Sequence, residues 1–288
     1  MSIYSKKKVQ GVIALIIVSM IWGSTFPFIK IVVSYVNSFR YVWIRNLLAV
    51  LAMVPYITYR ALRKSLTKRC AIGGLLIGLA YALALWLQGL GTFYTTASNS
   101  AFITNLYFIY LHAYEALKSK KYDYRLAVAV FTASLGLYMM TRPTGFGFGE
   151  LLILLGSFLW ALQILLVDKY SNTNPFDTTF FMLLPALALA IPDTIRFKPL
   201  SSEEMLTLLP HMLYLAIAAT IVAFALQLYG QRYVMPATAS TIYLVEPASA
   251  PIFAMLLINE KIEAIQVAGF SLIILALYLS TTSKYSYK

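Results

Sequence analysis

SMIWGSTFPFIK, Ser19 to Lys30, ends an apolar N-terminal run with residues that lipid does not call for: a Trp, a Ser-Thr pair, a Pro and a Lys. Its opening S-x-x-W recurs as SFLW at Ser157–Trp160. Compared at a shift of 138 to 140 residues, the halves also place Gly11 on Gly149, Tyr81 and Gln88 on Thr220 and Gln227, Gly91 on Gly230, Tyr94 on Tyr233, and Leu137-Tyr138 on Leu277-Tyr278. Single matches between apolar helices are common. A nearly constant offset kept in order marks a duplicated chain, with repeat one at about 9–142 and repeat two at about 147–283.

The 288 residues are 60% hydrophobic and 12% charged, with mean hydropathy +0.75, which is too apolar for a water-soluble globule. Apolar runs of membrane length fall at roughly 11–33, 39–59, 71–92, 97–117, 126–141, 149–168, 176–192, 210–229, 237–258 and 264–282, ten in all. Several are shorter than the roughly 20 residues that cross a ~30 Å hydrocarbon core, so those helices stand upright, thin the bilayer or lie inside the bundle. Five spans per repeat is an odd number, so the second copy enters from the opposite face. The expected fold is an all-α integral membrane protein of ten transmembrane helices, arranged as two inverted five-helix repeats around a central cavity. Connections are short, the longest about Asp193 to Leu209, so residues 1–288 read as a single bundle.

The net charge of +12 raises the question of a nucleic-acid partner, and the positions of the charges answer it. Sixteen Lys and Arg residues fall in segments on the side of the N-terminus, against Arg142, Arg196, Lys198 and Lys261 on the other. That bias orients a multi-pass cell-membrane protein with both termini cytoplasmic and leaves no role for nucleic acid. Lys6 to Lys8 ahead of an apolar run resemble a secretory signal, but no small-residue cleavage site follows, so the run reads as a retained first helix. Cys70 is the one cysteine, which excludes an intramolecular disulfide.

The motif W-G-S-x-F-x-x-I-K at Trp22–Lys30, Arg45 in span two, the run ATASTIYLVEPASAPIFAMLLINEKI from Ala237 to Ile262 and the weaker TASNSAFITNLYFIYL of the first half resemble the drug/metabolite transporter superfamily, in its ten-span EamA-type branch. Glu246-Pro247 followed by Asn259-Glu260 is the most specific part. In the first half Tyr107 and Lys120 stand where Pro247 and Glu260 stand in the second. The resemblance implies a ten-helix bundle that moves small organic solutes through a central cavity.

Trp22 and Trp160, at repeat-related positions, either flank that cavity or fill helix packing. Ser98, Asn105 and His112, spaced by seven, put a polar stripe on span four that faces protein or solute rather than lipid. The Tyr81/Gln88 and Thr220/Gln227 stripes follow the same logic. Glu246, with Tyr243 one turn earlier and Pro247 and Pro251 after it, is an acid near a span centre beside loosened backbone: a solute or proton site, or a structural carboxyl tied to freed backbone or to Lys30. Pro27 weakens the outer end of span one, where Ser24 and Thr25 can satisfy the freed carbonyls. Lys30 is a gate charge or a snorkelling interfacial lysine, and Arg40 is expected to snorkel. Arg45 lies deeper, where it holds a helix end or attracts an anionic group.

An enzyme would need a constellation of reactive groups. His112 and His211 stand apart, no paired intramembrane acids or phosphate loop occur, and neither a metal site nor a cofactor is expected. The reading is a secondary transporter of small organic solutes in a lipid bilayer, amino acids or related metabolites, with export and proton coupling both open. A non-transporting receptor or structural subunit is the alternative.

Overall fold

A computed structural model of the chain describes residues 3–95, 97–119, 124–141, 147–249, 253 and 263–283. Lys120, Arg142, Pro251, Asn259, Glu260 and Lys261 lie outside the described residues, as does the side chain of Ser98. Among the described residues every regular element is helical. Helices α1 (Ile3–Gly23) and α2 (Thr25–Tyr35) share the first span and α3 (Ser38–Leu62) follows, then α4 (Lys68–Tyr94), α5 (Ala97–Asn105), α6 (Tyr107–Ser119) and α7 (Tyr124–Thr141). The second half holds α8 (Phe148–Tyr170), α9 (Pro175–Leu187), α10 (Ala190–Arg196), α11 (Ser202–Ala216), a π-helical turn (Ile217–Val222), α12 (Ala223–Gly230), α13 (Pro236–Tyr243) and α14 (Ala264–Thr282). Side-chain caps set several starts: Asn37 accepts from Arg40 N at 3.0 Å and Asn174 from Asp177 N at 3.1 Å.

Seven stretches are long and apolar enough to cross a membrane: Lys6–Tyr35, Ser38–Leu62, Lys68–Tyr94, Phe148–Tyr170, Pro175–Arg196, Ser202–Gly230 and Ala264–Thr282; Tyr124–Met139 is a shorter apolar helix. The chain is a multi-pass membrane protein. The runs at 97–117 and 237–258 are broken. α5 passes to α6 at Leu106, whose amide donates to Ile103 O at 3.2 Å, and α13 ends at Leu244, whose amide donates to Thr241 O at 3.1 Å, before helix resumes over 245–249. Each break is a tightened i−3 turn. Pro247 accounts for the second, since it has no N–H for the Tyr243 carbonyl one turn back. Leu106 and Leu244 stand 138 residues apart, within the offset of the repeats.

Packing follows the same exchange. α4 lies on α8 while α1 lies on α12, and α3 meets α9, α6 meets α13 and α7 meets α14. Glycines set the first two contacts. A Cβ on Gly91 would lie 2.6 Å from Gly149 O and one on Gly149 would lie 2.9 Å from the Tyr94 side chain; a Cβ on Gly230 would lie 2.9 Å from Gly11 O and one on Gly11 would lie 3.2 Å from Tyr233. The matched pairs Gly11/Gly149, Gly91/Gly230 and Tyr94/Tyr233 therefore build one close crossing twice, because only a missing side chain lets the backbones approach so far.

Two features differ from expectation. The connection after span seven is short: Asp193 is buried within α10, and a Ser201–Glu204 capping box starts α11. Arg40 does not snorkel but is buried, its Nε 2.8 Å from Asp193 Oδ2. Asn37 Nδ2 and Trp43 Nε1 also donate to Asp193, each at 2.7 Å. Near the other end of α3, Arg60 Nη2 pairs with buried Asp177 at 2.7 Å, and Tyr56 donates to the same carboxylate at 2.9 Å. α3 is thus pinned near both ends to the α9–α10 span.

Candidate functional site

Between the halves lies a cavity lined from both repeats. Repeat one supplies Trp22, Thr25, Ile29, Arg45, Leu85, Gln88, Thr104 and Tyr107; repeat two supplies Trp160, Gln163, Ile164, Phe224 and Glu246. Phe224 joins the two tryptophans, its ring 5.3 Å from Trp22 and 6.4 Å from Trp160, the latter pair nearly parallel at 11°. The result is an aromatic and aliphatic frame carrying a few polar groups, the usual make-up of a small-molecule site.

The π-helical turn arranges one polar end. Trp22 Nε1 donates to Ala219 O at 3.1 Å, and Arg45 Nη2 reaches the same carbonyl at 3.3 Å. Arg45 Nε donates to Thr220 Oγ1 at 2.8 Å and its Nη1 to Tyr41 Oη at 2.7 Å. A π turn shifts the i−4 ladder and turns groups such as these toward a neighbour. Trp160 Nε1 is buried and has no acceptor among the described residues.

Glu246 marks the other end. Its side chain, 5% exposed, lines the cavity and is hydrogen-bonded by Asn105, which donates to Ala101 O at 2.9 Å and accepts from Tyr107 Oη at 3.1 Å. Both helix breaks thus meet here, since Asn105 closes α5 and Glu246 follows the turn after α13. The two ion pairs among the described residues are Arg40–Asp193 and Arg60–Asp177, so Glu246 has no described cation within ion-pair distance.

Of the residues singled out in the sequence, Trp22, Gln88, Trp160, Glu246 and Arg45 line the cavity. Tyr81 and Tyr243 stand behind it: Tyr81 donates to Asn46 Oδ1 at 3.1 Å and Tyr243 to Gln231 Oε1 at 3.3 Å. Gln227 exchanges bonds with Gln163 at 3.0 and 3.3 Å. Lys30 lies away from Glu246. Its ammonium donates to Thr92 O, Phe93 O and Thr95 O at 2.9, 3.1 and 2.8 Å, capping α4 where the helix dipole favours a cation and leaving no donor over. The stripe through Asn105 and His112 is not continuous, because the break at Leu106 intervenes; His112 Nε2 instead lies 2.9 Å from Thr241 Oγ1. Ser24 and Thr25 donate to Ile21 O and Trp22 O, each at 2.7 Å, in the turn before Pro27.

The sequence profile of the EamA-like transporter family matches the chain twice, over residues 9–142 and 147–282. The chain belongs to the EamA-like transporter family. An uncharacterized transporter of Archaeoglobus fulgidus is 29% identical over 95% of this chain and 86% of its own. The uncharacterized inner membrane transporter YedA of Escherichia coli K12 is 24% identical over 94% of this chain and 90% of its own. A crystal structure with 12% identity superposes at a TM-score of 0.73 over 96% of both chains, a likeness of fold alone. Within this EamA-like chain, Gln163, Phe224, Thr104 and Tyr107 were missed as lining residues. Two signals pointed to them: Gln163 is three residues after Trp160 on one helical face, and Thr104 and Tyr107 flank Asn105.

Proposed function

We propose that the protein is a secondary transporter that carries small organic solutes, amino acids or related metabolites, across the cell membrane by alternating access, in the direction of export, with Glu246 exchanging a proton during the cycle. One observation carries the reading: a cavity lined from both repeats lies where two helices of corresponding position are interrupted around a carboxyl group. Interrupted helices at matching places in duplicated halves are the strongest sequence-level pointer to a transport site.

In this reading the bundle has ten spans and the halves are inverted. The duplicated glycine crossing supports that arrangement. Gly11 and Gly230 meet near the start of the first span, whereas Gly91 and Gly149 meet near the end of the third, so the two copies lie toward opposite membrane faces. Both termini are placed in the cytoplasm by the charge bias. Cysteines introduced at Thr144 and Ser201 should react with an impermeant maleimide from outside, and cysteines at Ser65 and Ser119 only after permeabilisation; labelling at residue 65 in intact cells would reverse the orientation.

Flux tests the function itself. Purified protein in proteoliposomes should exchange radiolabelled amino acids well above empty vesicles, and Trp22→Ala or Trp160→Ala should raise the half-saturating concentration about tenfold, as loss of a buried aromatic anchor does. Vesicles that bind these solutes but never exchange them would point to a receptor.

A further inference from the structure

Arg45 is 3% exposed and lines the cavity, and its three hydrogen-bond partners, Tyr41 Oη, Thr220 Oγ1 and Ala219 O, are all neutral. A guanidinium carries five N–H groups, so one on each terminal nitrogen is left over, and a pair of N–H groups is what grips a carboxylate. Holding the π turn needs hydrogen bonds but not a charge. A cation inside a bilayer-embedded bundle with no counter-ion among the described residues is expensive, and the one acid lining the cavity, Glu246, is outside ion-pair distance. The Trp160 indole adds a donor without an acceptor among the described residues. These donors face a cavity whose lining sets the apolar Ile29, Leu85, Ile164 and Phe224 beside neutral polar groups such as Gln88 and Thr104.

We propose that the solute carries a carboxylate on an apolar body, and that Arg45 selects it by that carboxylate. This rests on the transport reading above. The unused Nη1 and Nη2 hydrogens supply a two-point contact that an amide meets weakly and an ammonium cannot meet, while the aromatic frame takes the body. The carboxylate supplies the counter-charge that no described residue gives Arg45.

The test uses four probes of one shape: 3-phenylpropionate, L-phenylalanine, 3-phenylpropionamide and 3-phenylpropylamine, each titrated by thermal stabilisation of the full chain in detergent and then followed in proteoliposomes. In wild-type protein the two acids should half-saturate at concentrations about tenfold or more below the amide and the amine, the ratio that a charge-assisted contact gives. Arg45→Gln should erase that preference and Arg45→Lys should keep its sign; because the wild-type comparison stands alone, poor folding of either variant does not shelter the idea. Equal or tighter binding of the amide or amine overturns the inference, and so does the absence of a shift with all four probes. Acids that bind without flux uphold it and reject the transport reading. Flux of the amine or amide without the acids does the reverse.

Discussion

Asp193→Ala should destabilise the protein by about 3–5 kcal/mol, the range for breaking a buried ion pair by removing one partner. Asp193 is wholly buried and accepts from Arg40, Asn37 and Trp43 at once. Truncation leaves the buried, charged Arg40 and the half-buried Asn37 and Trp43 without that acceptor, and the stranded charge carries the largest desolvation penalty. Asp193→Asn should fall between, because the amide oxygen still accepts while the charge is gone. The double variant Arg40→Met with Asp193→Leu should recover much of the loss, since removing both charges costs far less than stranding one. Thermal unfolding in detergent reads all four proteins. A wild-type transition in Asp193→Ala would mean that the cluster does not hold α3 to α10.

That cluster also shows where sequence reading stops. The apolar runs were legible because lipid demands them, and the glycine and tryptophan matches were legible because a close backbone crossing fixes both residue type and offset. Arg40 misled because an arginine near a span end looks the same whether it snorkels to water or meets an acid 153 positions away. The break at Leu106 has no proline to announce it, and the π turn at Ile217–Val222 has no signature in an apolar string. For the same reason Arg45 could be flagged as deep but its neutral partners could not, since Tyr41 lies one turn away while Ala219 and Thr220 come from the other repeat. Glu246 was visible from its cost alone, yet its neighbour Asn105 was read as part of a helical stripe that the break divides.

Glu246→Gln should leave the protein folded and able to bind solute, and should abolish the dependence of flux on an imposed pH gradient. A carboxyl enclosed as Glu246 is has two comfortable forms: the neutral acid, and the carboxylate facing a cation or water. Among the described residues no cation lies within ion-pair distance and the contact is a neutral amide, so the buried arrangement suits the acid, while opening the cavity to water suits the anion. Taking a proton when the site is closed and releasing it when the site is open ties proton movement to the conformational change. Glutamine keeps the volume and the hydrogen bond with Asn105 but holds no exchangeable charge, so a coupled cycle becomes an uncoupled one. Solute flux measured in proteoliposomes with and without a pH gradient separates the cases: wild-type protein should respond to the gradient and the glutamine form should show the same rate in both. If Glu246→Gln keeps the wild-type gradient response, the carboxyl only braces the interrupted helix and the proton travels by another route.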